Sequence, residues 1–204
     1  MSRRKKEKVW LTLEQVQILE RNCTRLKDRC IIKLGTRAGL RANEIATAEV
    51  KDLREYNIVD EIEHFLKIEG KQTNQDKGEG KKKGREAFIP DELYTDLRMV
   101  INQHNLKNSD PLVPNRFGEN YSVGGIRERV YSIAKRSYEE TKDDDFLKVS
   151  SHDLRRFFAH HNLVEKGKNP RIIMAVGGWE SWQAIEPYLD RPSKKNIVGE
   201  LGSG

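Results

Sequence analysis

The chain has 204 residues, a length that suits one ordinary domain with short tails and that can bury a sizeable core. Hydrophobic residues make up 36% of the sequence and charged residues 34%, which excludes a disordered chain by composition. No apolar run approaches the roughly 20 residues that a membrane span needs, and the opening MSRRKKEKVW has no apolar signal-peptide core. The formal net charge of +6 is compatible with a polyanionic partner, although many proteins without one are mildly basic.

The cysteines and histidines argue against a metal centre. Cys23 and Cys30 are the two cysteines of the sequence, too few for a zinc ribbon or a disulfide framework. We expect both to pack as small apolar side chains in a reduced, cytoplasmic protein. Among the five histidines, His160 and His161 are adjacent, and neighbouring residues of a helix point to different faces. The sequence therefore predicts no metal site.

The first elements are a basic tail and two helices. Residues 1–8 suit either a solubilising end or a phosphate-binding arm. Their basic residues are Arg3, Arg4, Lys5, Lys6 and Lys8. Thr12 and Gln15 have the spacing of a capping box, which predicts the start of a helix, and a second helix is expected to end near Gly39.

A small sheet is predicted in the middle of the chain. Extended stretches centre on Ile58, on residues 64–68 and on residues 87–89. The span between the last two, GKQTNQDKGEGKKKGRE, is rich in glycine and lysine and is typical of a long hairpin tip or loop. Helices are then expected to begin near Asp91 and Val123.

The helix that begins near Val123 has an apolar face and a basic one. Arg127 and Arg129 lie on the basic face, which is either solvated or turned towards DNA. Further on, Ser150 or Ser151 can cap another helix.

The C-terminal segment contains two further helix starts. Pro170 suits the first position of a short helix, and Ser181 can cap a last helix that we expect to run to about Asp190. The pattern as a whole predicts a mostly α fold with a small antiparallel β-sheet. It covers residues 9–192, between the basic tail and a C-terminal tail, residues 193–204, whose LGSG ending resembles a cloning remnant.

Three sequence segments resemble the conserved boxes of the tyrosine recombinase, or phage-integrase, family. The segment TRAGLRANEIATAEVKDL places Arg41 where the family has its first arginine, and SHDLRRFFAHH places His152 and Arg155 in a His-x-x-Arg pattern. The segment MAVGGWESWQAIEPYLD has Trp179 where many members have histidine and some have tryptophan, and Tyr188 follows nine positions later. The resemblance extends over nearly the whole chain and implies the family's catalytic-domain fold.

The family also has a lysine in a β-hairpin, and here the match is less direct. Lys71 follows the predicted strand, as in the family, but the hairpin is longer than is usual there. Other lysines therefore compete with it. They are Lys77, Lys81, Lys82 and Lys83. The long Gly/Lys hairpin and the GGW turn also resemble those of some archaeal integrases, which hints at a virus or plasmid origin.

The resemblance implies site-specific cleavage and rejoining of double-stranded DNA without metal, ATP or another cofactor. Tyr188 would be the nucleophile that forms a 3′-phosphotyrosyl intermediate. Arg41 and Arg155 would neutralise the phosphate, since a guanidinium binds phosphate bidentately and stays charged. Lys71 would protonate the leaving oxygen. His152 would accept a proton or hold the phosphate, and Trp179 would donate its indole N–H.

The partners implied are a DNA recombination site and further copies of the chain, as a dimer or tetramer on DNA, with no membrane. The basic tail, Arg127, Arg129 and the hairpin-tip lysines Lys81, Lys82 and Lys83 are the expected additional DNA contacts. The N-terminal clamp domain usual in the family does not precede the pattern in this sequence. The motifs leave open a type IB topoisomerase, which shares this chemistry, and a non-catalytic DNA-binding regulator of the same fold.

Overall fold

The computed structural model describes residues 8–70, 84–188 and Gly202. Helices predominate in these ranges, as the sequence predicts. The α-helices are α1 (Leu13–Arg21), α2 (Leu26–Thr36), α3 (Ala42–Thr47), α4 (Asp91–His104), α5 (Val123–Thr141), α6 (Ser151–His160), α7 (Pro170–Gly177) and α8 (Trp182–Ile185). Short 3₁₀ turns cover Val50–Asp52, Asp144–Leu147 and Glu186–Tyr188, and a π-helical turn covers His161–Glu165.

The predicted start signals of several helices are confirmed. The Gln15 backbone N–H donates to the Thr12 hydroxyl at 3.1 Å, and the Thr12 N–H donates to the Gln15 side chain at 3.0 Å, which completes the capping box of α1. Pro170 occupies the first turn of α7, where its missing N–H costs nothing. These signals are local, so the sequence alone could place them.

The three predicted strands form one antiparallel sheet in the order β1 (Leu53–Ile58), β2 (Glu61–Ile68) and β3 (Arg85–Ile89). Ile68 pairs with Arg85 at the end of the β2–β3 ladder. This register places Gly70 and Gly84, which flank residues 71–83, next to each other at the same end of the sheet.

Helix α2 lies at the centre of the main core, where Ile31, Ile32 and Leu34 are completely buried. It packs against α1, α3, α4, α5 and α6. Burying such a side chain stabilises the fold by roughly 1.5–3 kcal/mol. Because α6 packs directly on α2, the helix with the His-x-x-Arg pattern is anchored in the interior.

A second, smaller apolar cluster attaches the C-terminal segment to α6. Phe158 and Ala159 of α6 contact Ile173, Trp179 and Ile185 there, and Tyr188 packs at its border. The ring planes of Phe158 and Trp179 are nearly parallel, 9° apart, with centroids separated by 6.4 Å. This cluster holds the third sequence box against the second one.

The end of the last helix differs from the prediction. We expected it to run to about Asp190, but α8 ends at Ile185 and the chain continues as a 3₁₀ turn through Tyr188. Pro187 explains the difference, because proline lacks the N–H that would donate to the Gln183 carbonyl oxygen in a continued α-helix. Asp190 itself lies outside the described residues.

None of the helices within residues 8–70 and 84–188 is long and apolar enough to cross a membrane.

Candidate active site

Arg41 is held at the N-cap of α3 by a glutamate one turn further on. The Arg41 backbone N–H donates to the Glu44 carboxylate at 2.7 Å, and its Nη1 donates to the same carboxylate at 2.8 Å. Its Nη2 donates to the carbonyl oxygen of Gly178 at 3.2 Å. The guanidinium is thereby fixed between the first and third sequence boxes.

His152 and Arg155 lie on the first turns of α6, and their three-residue spacing places them on the same face. The start of the helix is secured by Ser150, whose backbone N–H donates to the Asp153 carboxylate at 2.8 Å. Asp153 also accepts from the backbone N–H of Val9 at 3.3 Å. The segment before α1 is thus attached to the turn that presents His152.

Arg155 is a completely buried cation, which is unusual for arginine. Its Nη1 donates to the Gly39 carbonyl oxygen, whereas its Nε and Nη2 have no hydrogen-bond partner among the described residues. Burial, and then the nearby charge of Arg41, lower the pKa of Arg155 to about 9, which still leaves it protonated at neutral pH. A buried charge with unpaired donors is costly, and an anion would satisfy it.

Trp179 covers one face of that arginine. The Arg155 Cζ atom lies 3.8 Å from the centroid of the Trp179 ring, a cation–π geometry. The indole Nε1, like the two free Arg155 nitrogens, is buried without a partner in the part of the chain described here. Gly178 makes the turn before Trp179 possible, because its φ of +71° is a conformation that glycine adopts at no cost.

Tyr188 completes the group. Its ring centroid is 4.9 Å from that of His152 and 5.3 Å from that of Trp179, and Arg155 Cζ is 6.0 Å from it. The 3₁₀ turn at Glu186–Tyr188 packs against α6. The structure therefore brings together five of the six expected catalytic residues. The first and last of them, Arg41 and Tyr188, are 147 positions apart in the sequence (188 − 41 = 147).

The electrostatics of the group favour an uncharged histidine. Burial lowers the pKa of His152, and the charge of Arg156 lowers it further. The charge of Asp153 opposes this shift, and the weaker effects of Arg155 and Arg41 add to it. An imidazole that is neutral at pH 7 has one nitrogen free to accept a proton. His152 is therefore suited to act as a base.

Two cavities open on either side of Arg41. The larger, of about 720 Å³, is lined by Arg41, His152 and Arg155 together with Arg127 and Tyr131 of α5. The other, of about 510 Å³, is lined by Arg41, Trp179, Arg85 and the two ends of the Gly/Lys-rich span, Gly70 and Gly84. Arg41 is thus accessible from both the α5 side and the hairpin side.

Sequence reasoning missed Glu44 and Arg85. Both Arg85 Nη atoms donate to Glu44, at 3.0 and 2.9 Å, on the same two oxygens that accept from Arg41. Burial alone would raise the pKa of the Glu44 carboxyl, but the hydrogen bonds from Arg85 and the charges around it hold that pKa below its ordinary value. The spacing of Glu44 three residues after Arg41 was a usable signal, since a glutamate at that position completes a capping box. Nothing local pointed to Arg85.

The additional basic residues fall into three groups. Lys71, Lys77, Lys81, Lys82 and Lys83, like Arg3, Arg4, Lys5 and Lys6, lie outside the described residues. Lys8 is exposed, with its Nζ 3.5 Å from the carbonyl oxygen of Pro187. Arg127 lines the larger cavity, whereas Arg129 donates to the completely buried Asp28, through Nε at 3.0 Å. Arg129 therefore anchors α5 to α2.

Solved structures share this fold. The XerA recombinase superposes with a TM-score of 0.72 at 16% identity, over 95% of this chain and 64% of that one. The XerH site-specific recombinase, bound to palindromic difH substrate in a post-cleavage complex, gives 0.69 at 19% identity, over 95% and 51%. The Tn1549 transposon integrase in complex with transposon right end DNA gives 0.69 at 18% identity, over 97% and 66%. The protein thus has the tyrosine recombinase catalytic-domain fold.

The sequence itself establishes the family. Residues 9–194 match the model of the phage integrase family, and the chain belongs to that family. The tyrosine recombinase XerC of Natranaerobius thermophilus is 27% identical over 164 residues, which are 80% of this chain and 50% of that relative. The chain spans about half to two thirds of the length of these proteins. The resemblance drawn from the three motif segments is confirmed.

Proposed function

We propose that this chain is a site-specific DNA recombinase that cleaves and rejoins strands through a 3′-phosphotyrosyl intermediate. One observation carries the proposal: Tyr188 lies against His152 and Trp179, beside a buried Arg155 that has two nitrogens without a partner in residues 8–70 and 84–188. A tyrosine, a neutral histidine and unpaired cationic donors are what attack on a phosphodiester requires.

The arginines supply the charge that the reaction needs. A phosphodiester is anionic and resists an anionic nucleophile, so the nonbridging oxygens must be neutralised as the fifth bond to phosphorus forms. Arg41 and Arg155 do this with fixed guanidiniums, and Trp179 adds its indole N–H as a further donor. No metal ion is needed in this scheme because the side chains carry the compensating charge.

The cleavage step balances with side chains alone. The Tyr188 hydroxyl transfers its proton to His152 while its oxygen forms a bond to phosphorus. The bond from phosphorus to the 5′-oxygen breaks, and that oxygen takes a proton from Lys71 and leaves as a hydroxyl. The reverse sequence joins a 5′-hydroxyl to the 3′-phosphotyrosine, so the energy of the bond is conserved and no nucleotide is consumed.

Lys71 remains the proposed proton donor because of its position directly after Gly70. Gly70 lines the same cavity as Arg41 and Trp179, and Gly84 enters that cavity from the opposite strand. In the sequence, Lys71 comes shortly after β2 and directly after Gly70, the position in which the family has its hairpin lysine, whereas Lys83 precedes Gly84, and Lys81 and Lys82 are further from both glycines. A general acid needs a fixed position, which a residue near a strand end can have.

The proposed partners are double-stranded DNA and further copies of the chain, assembled as a dimer or tetramer on the DNA. The complexes of XerH with difH substrate and of the Tn1549 integrase with transposon right end DNA support the first partner. Arg127 is the α5 arginine that we propose as a DNA contact, because it lines the cavity next to His152 while Arg129 is paired with Asp28. The basic arm, including Lys8, is proposed to add phosphate contacts.

The test is covalent trapping. The protein is incubated with a pool of nicked duplexes that carry a randomised sequence next to the nick, so that the short fragment diffuses away after cleavage. Denaturing electrophoresis should show a protein–DNA adduct whose linkage maps to Tyr188, and Tyr188→Phe should bind the pool but form no adduct. A pool that binds without any adduct would contradict the proposal, as would an adduct that persists in the Phe variant. Relaxation of an unrelated supercoiled plasmid at a comparable rate would point to a topoisomerase instead.

A further inference from the structure

Arg85 is a third arginine beside the site, but its bonds are of a different kind. Its Nη1 and Nη2 grip the two oxygens of Glu44 at 3.0 and 2.9 Å, and its Nε donates to the carbonyl oxygen of Val176 at 2.9 Å. All three nitrogens of the guanidinium therefore have protein acceptors. Unlike Arg155, Arg85 has no nitrogen without a protein acceptor, and its side chain is only 13% exposed.

Arg85 and Arg41 bind the same glutamate and the same end of α7. Glu44 accepts from Arg41 through both the backbone and the guanidinium, and Arg41 donates onward to Gly178. Arg85 binds Val176, two residues before Gly178, in the same turn. Two arginines thus share one buried carboxylate and bind carbonyl groups two residues apart at the C-terminal end of α7, those of Val176 and Gly178.

The packing at Gly178 supports the same connection. A Cβ atom on Gly178 would lie 2.7 Å from both Cδ and Nε of Arg85, closer than real Cβ contacts allow. The turn therefore rests directly on the Arg85 side chain. Arg85 is also the first residue of β3, at the end of the Gly/Lys-rich span.

We propose that Arg85 is a positioning residue that sets Arg41 and the Gly178–Trp179 turn in their working geometry through Glu44 and Val176. Its hydrogen bonds link the start of β3 to Glu44 in the first sequence box and to Val176 in the third. It acts on the reaction through Arg41 and Trp179 and does not touch the DNA phosphate. The cleavage part of its test rests on the function proposed above, and a DNA-free part does not.

The DNA-free experiment uses the three tryptophan indole N–H resonances in protein labelled with ¹⁵N-tryptophan. Trp179→Phe assigns the Trp179 signal by its loss. Arg85→Ala should shift or broaden that signal and leave those of Trp10 and Trp182 in place. Arg29→Ala is the matched control, because Arg29 also binds a carboxylate bidentately, that of Asp96, away from the site. An unmoved Trp179 signal in Arg85→Ala would overturn the proposal.

The cleavage experiment uses the duplexes that wild-type protein traps from the randomised pool. Arg85→Ala should slow single-turnover cleavage about 10²-fold, the size of loss that a small misplacement of catalytic groups causes. DNA affinity, measured by anisotropy, should change far less. Arg29→Ala should cleave at the wild-type rate. If Arg85→Ala is too unstable to measure, Arg85→Lys takes its place, since lysine keeps the charge but cannot grip Glu44 and Val176 together.

A combination of variants tests whether Arg85 works through Arg41. In an Arg41→Lys background, Arg85→Ala should lower the cleavage rate by a much smaller factor than in the wild type, because the side chain that Arg85 positions is already altered. Fully additive losses, or equal losses of affinity and rate, would overturn the positioning role. Absence of any wild-type adduct would count against the proposed function, and the tryptophan experiment would still decide the role of Arg85.

Discussion

The Cζ atom of Arg155 lies over the Trp179 ring at 3.8 Å from its centroid, the shortest cation–ring contact in the described part of the chain. An arginine covered on its face keeps its edge N–H groups for acceptors in its own plane. Two of those groups, Nε and Nη2, have no acceptor among the described residues. The contact therefore presents a dry, oriented donor pair beside Tyr188.

Replacing Arg155 by lysine should separate the effect of its charge on cleavage from the effect of its planar shape. Lysine keeps a positive charge but has neither the planar fork nor the face that stacks on Trp179. We expect Arg155→Lys to lower the single-turnover cleavage rate by about 10²–10³-fold, the usual cost of removing one preorganised donor, with a much smaller loss of DNA affinity. Arg29→Lys, the same change outside the site, should cleave normally. Equal losses in rate and affinity would reduce Arg155 to an ordinary phosphate contact.

Trp179 offers a test of whether its indole nitrogen or its ring matters. Trp179→Phe keeps an aromatic ring under Phe158 and Arg155 but removes the donor, whereas Trp179→His keeps an N–H donor on a smaller ring. If the unpaired Nε1 serves the phosphate, the histidine variant should cleave faster than the phenylalanine variant, although its thermal midpoint is lower. The opposite order of rates would show that Trp179 acts through packing.

The assignment of the hairpin lysine can be decided with a modified substrate. Lys71→Ala should slow cleavage far more than alanine at Lys81, Lys82 or Lys83, because a general acid needs a fixed position. A duplex with sulfur in place of the leaving 5′-oxygen should restore the rate of Lys71→Ala selectively, since a thiolate leaves without being protonated. Restoration of one of the tip variants instead would move the role to that lysine.

The lowered pKa of His152 predicts how its protonation and the stability of the protein depend on pH. Its pKa is lowered from its ordinary value of 6.5 by burial and by Arg156, so the folded protein favours the neutral imidazole. In the DNA-free protein, the His152 NMR signals should therefore titrate below pH 6.5. The unfolded state takes up its proton first as the pH falls, so His152 contributes destabilisation only below about 6.5 and has no effect on stability above it. A His152→Gln variant should lose less stability on acidification than the wild type. A midpoint above 6.5 would favour a phosphate-binding imidazolium over a base.

DNA affinity should depend strongly on salt and weakly on sequence for this chain alone. Lys and Arg that neutralise phosphates release counterions, so the logarithm of affinity should fall with the logarithm of salt by roughly 0.9 for each contacted phosphate. Removal of residues 1–8 should make that slope shallower if the basic arm contributes contacts. Anisotropy on trapped and scrambled duplexes across a salt series measures both quantities. Site-selective binding that persists at high salt would show that this domain is a complete recognition unit.

The sequence by itself determined the features that depend on short stretches of chain. Helix starts at Thr12, Ser150 and Pro170 follow from local hydrogen bonding and backbone geometry, and the strands follow from runs of extended-favouring residues next to turn signals. The order and spacing of the Arg41, His152, Arg155 and Tyr188 motifs also sufficed to indicate the family. Those motifs state which chemical groups are present and in what order.

The tertiary structure alone decided how those groups meet. The pairing of Arg85 with Glu44, the stacking of Arg155 on Trp179 and the diversion of Arg129 to Asp28 join residues that are 41, 24 and 101 positions apart. A charged side chain on a helix or strand has no periodicity that reveals its partner, because the partner is set by which elements pack together in the core. Packing of α6 on α2, and of the Trp179 turn on α6, buries Arg155 completely and leaves two of its nitrogens unpaired within the described residues. Arginine is usually exposed, and a buried arginine whose N–H groups lack acceptors is a candidate anion site. The burial of Arg155 depends on the whole fold.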